Sequence, residues 1–500
     1  MNYINLQIAF FLSVGIVQSQ MPYNHRIENG QVQAFGKLIY ELDESYLAIG
    51  RGIDTIDFLG GVYATEIDKK SGEILSNDKY TENGKIFFFN RGNSVLNIKD
   101  EPYFLFKSGA TIYLSSYSQM ENKIVIVKEI VSPTESNSLF INDFQYKDGI
   151  FYILSGHSEG TVMLMYDLES DLIEEFFIPE EEGSMTTMKF NFLQNGNFLL
   201  SYDIFESTGK RTINIKEVDA VGNTLWKYKN PIINERTVYS FIPMDSTTYI
   251  LGGVKNNLAS INPEGEQTPF ILKFDYNEKT IVAKSDFGIP INEWFMWNNP
   301  VEEIVQSHDG NSFLCVAELY EFPLNYDTLT SYAMVAKVDK DLNNIWKRTY
   351  GYIEKDYSRH ELEDIITTSD GNYLCHGTSQ KTNIYPGEIP LLSWVFKIDE
   401  DGKIVGDTTT LTIDWEYEEY TEEISIFPNP ASDMIYINQD EIEKVTYRVY
   451  DSVGKLDDEF EISSKNSSVM KDIESWSSGM KFIYIIQDNK IMGHMKMFKQ

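Results

Sequence analysis

Basic residues are scarce in this chain: 42 Lys and Arg stand against 76 Asp and Glu, a net charge of −34. Such an acidic surface repels a phosphate backbone, which argues against nucleic acid as a partner. The tail from 423 to 500 carries 13 acidic and 9 basic residues, a net −4, so −34 + 4 leaves −30 upstream. That charge suits solubility in an exposed compartment, with a cation-binding surface as the functional alternative. Cysteine is nearly absent, two in 500 residues, so disulfides do not hold the fold. Cys315 and Cys375 occupy matching places in successive repeats, where equivalent strands lie too far apart to bridge. Both read as small buried apolar residues. The six histidines are scattered, with no His-Glu-x-x-His and no spaced Cys/His set, so zinc catalysis has no support. Long apolar runs are missing too: no segment approaches the roughly 18 residues of a spanning helix.

The longest apolar run, Leu6 to Val17, has the length of a signal-peptide core. No Lys or Arg precedes it. Val17 and Ser19 are small enough for the −3 and −1 positions, so cleavage is expected between Ser19 and Gln20, with 1–19 as the leader. The rest of the chain is rich in Tyr (31) and Phe (30), which favour pleated, half-buried surfaces.

Internal repeats organise the middle of the chain. "EEIVQSHDGNSFLCVAELYE…SYAMVAKVDKDLNNIWKRTYG" aligns with "EDIITTSDGNYLCHGTSQ…LSWVFKIDEDGKIVGD". Each holds a strand, a tight turn, a second strand, a variable loop, a third strand ending in Val/Ile-Asp, another turn and a fourth strand. The Asp-Gly-Asn turns are hairpin signals, because glycine accepts the positive φ that such a turn needs. Decayed copies lie upstream, with Asn195-Gly196-Asn197, Val218-Asp219, Phe274-Asp275, Tyr166-Asp167 and Ile67-Asp68 as markers. About seven units of roughly 50 residues, each able to form four antiparallel strands, predict a β-propeller, with six or eight blades as the neighbouring counts. The expected propeller covers 30–407.

Thr408 to Glu422 carries five acidic and no basic side chains and reads as a charged linker. From 423 to 500 short alternating strands predict a small Ig-like β-sandwich. Here "ISIFPNPASDMIYI", "YRVYDSVGKL", "SSGMKFIYII" and the end "MKMFKQ" resemble the type A sorting domain of the type IX secretion system. The matching residues are Pro428, Asn429, Pro430, Ala431, Gly454 and Gly479; the family's aromatic two residues after the last glycine is replaced by Lys481. The resemblance implies a bacterium of the Bacteroidota, export through the leader, passage across the outer membrane by the type IX machinery, and later removal of the tail. The working part would then be anchored at the cell surface or released. The central repeats resemble those of secreted propeller proteins of the same bacteria, a likeness that carries fold and not activity.

Candidate chemistry is thin. "GHSEG" places Ser158 in a nucleophile-elbow pattern, but strand-like sequence on both sides puts it in a hairpin rather than a strand–helix turn. "QSHDGNSF" is similar to the sialidase Asp-box in Ser307 and Asp309, with Gly310 one place early and Phe313 for Trp. "DKDLNN", Asp339 to Asn344, and "DEDG", Asp399 to Gly402, space oxygens as calcium loops do, although a hairpin turn accounts for both. No catalytic residue, cofactor or metal is assigned. The expected function is non-catalytic binding of a glycan, peptide or surface protein through blade loops, among them "ELYEFPLNYDTLTS" and "TSQKTNIYPGEIPL". The alternative is a polysaccharide hydrolase or lyase with carboxylates in the propeller's central pocket.

Overall fold

The computed structural model describes residues 23–27, 33–53, 60–89, 95–131, 140–157, 160–179, 184–205, 211–232, 235–257, 266–287, 300–321, 330–351, 359–380, 391–406, 413–414, 424–427, 431–439, 444–451, 456–463, 467–487 and 490–499. Its regular structure is all β, in two compact units.

Seven antiparallel blades follow one another along the chain, six of four consecutive strands at 33–80, 96–131, 140–178, 184–229, 235–286 and 303–350, and a last one at 360–398. The first shows the pattern: Gln33–Glu41, Ser45–Ile53, Gly60–Asp68 and Ile74–Tyr80, paired in that order. These are the blades of a β-propeller, neighbours touching through their first strands as Phe140–Lys147 touches Ser184–Phe192. Second and third strands are almost wholly buried while fourth strands are largely exposed, as at Thr224–Lys229. Neighbouring blades share apolar cores, for example Leu154 and Met163 with Met188, Phe190 and Leu200.

The first two strands of a blade meet at the turns read from sequence. Gly196 and Gly371 both take φ of 85°, a backbone that an L side chain resists. In all blades but the second the third strand leads into an aspartate, and in several its carboxylate caps the next turn. Asp219 Oδ1 accepts N–H bonds from Val221 and Asn223, and Asp399 Oδ1 accepts them from Asp401 and Lys403. This local capping is why Val/Ile-Asp recurs.

Two boundaries differ from the sequence reading. The last blade has only three strands of its own, His360–Thr367, Tyr373–Gln380 and Leu391–Ile398. Its fourth is Asn24–Ile27, antiparallel to the last of these, so the propeller begins before residue 30. Trp394 Nε1 donates to Asn24 Oδ1 at 2.8 Å, Arg26 Nε to Ser379 Oγ at 2.9 Å, and Tyr23 and Ile27 are buried. The segment expected as the fourth strand, "KIVGD", contributes one bridge, Ile404 to Ile398. The acidic linker also holds a two-residue strand, Ile413–Asp414, paired with Thr349 and Arg348.

The second unit contains a two-sheet sandwich. One sheet is Ile424–Phe427, Met434–Gln439 and Ser467–Asp472; the other orders Leu456–Ile462, Val445–Asp451, Gly479–Gln487 and Lys490–Lys499. Alternate residues turn inward, so Ile435, Ile437, Val445, Tyr447, Val449, Ile483 and Ile485 meet around Trp476.

Candidate functional site

The first strands of the blades pair along one edge, apart from a single parallel pairing of Gln33 with Leu391, which leaves N–H groups on the other edge without a ladder partner. Polar side chains of the preceding blade fill some of these places. Asp143 Oδ2 accepts the N–H of Phe190 at 3.0 Å, Asp364 Oδ2 that of Ile39 at 2.8 Å, and Ser240 Oγ that of Ile304 at 3.1 Å. Each donor belongs to the next blade round the ring, and Ile39 closes it. Asp143, Lys189, Ser240, Glu303 and Asp364 all stand immediately before a buried apolar residue of a first strand: Phe144, Phe190, Phe241, Ile304 and Ile365. The structure thus gathers charged groups of four blades and a serine of a fifth, which the sequence separates by 46 or more positions, into one electrostatic neighbourhood.

Within this ring Lys189 Nζ lies 3.3 Å from Asp143, and Ser240 Oγ donates to Glu303 Oε1 at 2.9 Å. Burial raises the Asp143 carboxyl despite the Lys189 ammonium. Burial also lifts Glu303 to about 7, with Lys189 opposing and Asp143 adding to the rise. Asp364 is pushed well above the carboxylate range by burial and then by Glu303. Glu303 keeps some accessible surface. At neutral pH this neighbourhood can hold a proton. Lys37 and Glu363 form a further ion pair on the first strands of the first and last blades.

The turns proposed from sequence as chemical sites are capped structures. Asp339 Oδ1 accepts from the N–H groups of Asp341 and Asn343, both at 2.8 Å, and its Oδ2 from Asn343 Nδ2 at 2.8 Å. Both carboxylate oxygens are therefore occupied by donors of their own turn. Asp309 accepts from the N–H groups of Asn311 and Ser312 and from the Ser307 hydroxyl, which makes the Asp-box-like segment a turn. Ser158 lies outside the described residues, and its flanks Ile150–His157 and Gly160–Asp167 are paired strands rather than a strand and a helix. Cys315 and Cys375 are buried, and neither is in a disulfide. Among the described residues no group of three or more His, Cys, Asp or Glu is arranged to hold a metal ion.

In the sandwich, three stretches of the sorting-domain pattern meet at one place. Ala431 is buried and bridges Lys499, Gly479 pairs with Lys499 at φ 114°, and Lys499 Nζ donates to the carbonyl of Ser432. Lys481, where the family pattern has an aromatic, is buried with its ammonium 2.5 Å from Asp457 Oδ2. Ser19, Gln20, Pro428, Asn429, Pro430 and Gly454 lie outside the described residues.

Seven four-stranded blades around a polar ring, followed by a sandwich, define a propeller protein with an appended C-terminal domain. Residues 425–499 match the family described as "Secretion system C-terminal sorting domain". The tail is a type IX sorting domain, and the protein is secreted or held at the cell surface. None of the curated proteins matches the chain. Among solved structures it is similar to the Dos1 propeller, at 9% identity over 75% of this chain and 95% of that one, TM-score 0.44. It is also similar to the β-propeller domain of the Trilobed protease from Pyrococcus furiosus, at 10% identity over 75% and 97%, TM-score 0.39. A third is polysaccharide lyase Uly1, at 9% identity over 73% and 90%, TM-score 0.43.

Proposed function

We propose that the propeller is a non-catalytic binding module that works outside the cell, taking a glycan, a peptide or a surface protein on one face. The observation that carries this reading is the division of connections between the two ends of the blades. Joins between first and second strands span two to five residues, as do those between third and fourth strands in the first six blades. The opposite end carries the joins between second and third strands and between blades, including 258–265, 287–302, 322–329 and 381–390. Long connections raised by a rigid array are where binding residues collect. The insertions with Tyr and Pro singled out from sequence fall at this end, and their central residues lie outside the described ones. Asp143, Ser240 and Asp364 meanwhile hold neighbouring blades together, a structural use of the polar ring.

The test is a glycan and protein-array screen of the purified chain, repeated after 322–329 and 381–390 are replaced by short Gly-containing turns. Binding lost with an unchanged Tm supports the reading; binding retained overturns the assignment to this face.

One observation favours a second reading, a polysaccharide hydrolase or lyase. Glu303 is poised near 7 beside Asp364, as a general acid would be. Release of reducing or unsaturated sugar ends, abolished by Glu303→Gln, would decide for it.

A further inference from the structure

Acids outnumber bases in this chain, and cations of the blades are commonly met by carboxylates: Lys37 by Glu363, Lys189 by Asp143, Lys397 by Asp370. Arg51 departs from this pattern. It stands near the end of Ser45–Ile53, beside the join 54–59, at the end of the blades with the long connections. Leu47 and Ile49 of this strand pack into the core shared with Phe104 and Phe106 of the second blade, and Arg51 follows them on the same face. Its guanidinium lies over the Phe88 ring, 4.5 Å from the centroid. Among the described residues it has no hydrogen bond and no ion pair, and its Nε is buried without a partner. Burial lowers the guanidinium's pKa, with no carboxylate to restore it. Partial desolvation of a cation is a cost that an aromatic face offsets only in part. The ring beneath is held in place. Phe87 is wholly buried, edge to face with Phe106, and Phe88 exchanges two backbone hydrogen bonds with Lys107 at 2.9 and 3.0 Å. Residues opposed in this way project from one side of a sheet, which sets the buried Lys107 beside Phe88 as a second cation. Phe88 is 40% exposed. The second blade joins its second and third strands at this end through two residues, 109–110, against eight at 322–329 and ten at 381–390.

We propose that Arg51, seated on Phe88, anchors the carboxylate of an acidic sugar, and that the ligand of this face is a glycan carrying isolated uronic acid residues. The proposal rests on the reading of this face as a binding surface and names its ligand class. A guanidinium presents paired N–H donors that match the two oxygens of a carboxylate. Held on an aromatic plane, it has little freedom left to lose when the ligand arrives. The exposed part of Phe88 offers the C–H face of a sugar an apolar surface next to the charge. The net charge of −34 repels a polyanion at longer range. A single carboxylate on an otherwise neutral glycan therefore fits better than a continuous acidic polymer or an acidic peptide.

Calorimetry on the full-length chain tests this, with methyl glucuronide and methyl glucoside as probes that differ only at the sugar's sixth carbon. The glucuronide is expected to bind about tenfold more tightly, or better. Arg51→Gln is expected to abolish this preference with Tm unchanged or raised, because the cation it removes has no carboxylate partner. Phe88→Leu, which keeps apolar bulk on the strand, is expected to weaken the glucuronide by about threefold or more. Equal binding of the two probes overturns the proposal, as does a preference that survives Arg51→Gln, undiminished binding in Phe88→Leu, or a lowered Tm in Arg51→Gln. Sulfate or hexaglutamate displacing the glucuronide at equal concentration also overturns it, in favour of a general anion site or an acidic peptide. A monosaccharide occupies only the Arg51 corner, so its preference is expected to survive replacement of 322–329 and 381–390, and its loss there would move the site to those loops and overturn the assignment to Arg51. The array screen can thus fail while this preference stands, and the reverse.

Discussion

His376 and Glu303 give the propeller opposite responses to pH. His376 is buried, with Nδ1 at 2.8 Å from the Leu38 carbonyl and Nε2 at 2.8 Å from Ser393 Oγ, a link between the last blade and the first. A neutral ring serves both contacts, one nitrogen donating and the other accepting. Burial lowers the imidazole to about 4 from an ordinary 6.5. The unfolded chain therefore binds a proton between these values and the folded one does not. The contribution is whole above 6.5 and is lost as pH falls towards 4, a change of about 3 kcal/mol. Urea unfolding at pH 7 and pH 4.5 should show a loss in the native chain that is smaller in His376→Gln. Glu303 runs the other way. Its carboxyl is raised to about 7 from 4.5, so the folded state holds a proton that the unfolded state has released. That contribution is whole below 4.5 and lost as pH rises through 7. Glu303→Gln keeps a partner for Ser240 and should raise stability at pH 8.5 by about 2 kcal/mol, with little change at pH 5. Equal midpoint shifts at both pH values would show that Glu303 does not titrate in this range.

At the scale of elements, what could be read in advance was whatever is local. The Asp-Gly-Asn hairpins and the aspartate-capped turns close on themselves within five residues, so their chemistry stands in the sequence; Gly371 and Asp399 are examples. Asn24–Ile27 has no such signal, because it is four residues long and its partner is the last propeller strand. The polar ring was hidden for the same reason: Asp143, Lys189, Ser240, Glu303 and Asp364 differ in type and meet only through the closure of the whole propeller. Aligning the repeats on the buried residue that follows each of them would have exposed the set. The sandwich departs from its family pattern within one element. Lys481, on strand Gly479–Gln487, is wholly buried against Asp457, which is itself nearly buried. Lys481→Met strips Asp457 of its cation and should destabilise the sandwich by about 3 kcal/mol, whereas adding Asp457→Asn should recover most of the loss. Thermal unfolding of the three variants checks this; equal losses in the single and double variants would mean that the pair is not what holds this strand.

At the scale of the molecule, the groups named here that close the propeller all lie in the first unit. The seam is made by Asn24–Ile27 against Leu391–Ile398 and by contacts such as the Ser369 N–H and hydroxyl to the Glu41 carboxylate, both at 2.7 Å. The Lys397 ammonium, 2.8 Å from Asp370 and over the rings of Tyr23 and Tyr46, adds to it. Burial opposes ionisation of Asp370, yet Lys397 and the Thr368 hydroxyl hold it at about 2, so this carboxylate stays charged at any physiological pH. Deletion of 423–500 leaves all of these groups in place, along with Ile413–Asp414 beside Arg348 and Thr349. The shortened chain should therefore fold, with the propeller's thermal transition within a few degrees of its value in the full chain, since a lost blade contact of 1 kcal/mol would shift Tm by only about 2 °C in a unit this large. What it should lose is its destination. Cell fractionation of the producing bacterium is expected to find the deleted form in the periplasm and the full chain outside, with equal protease resistance of the two propellers. Surface display of the deleted form would refute the sorting role of the tail, and a protease-sensitive propeller would show that the tail also serves the fold.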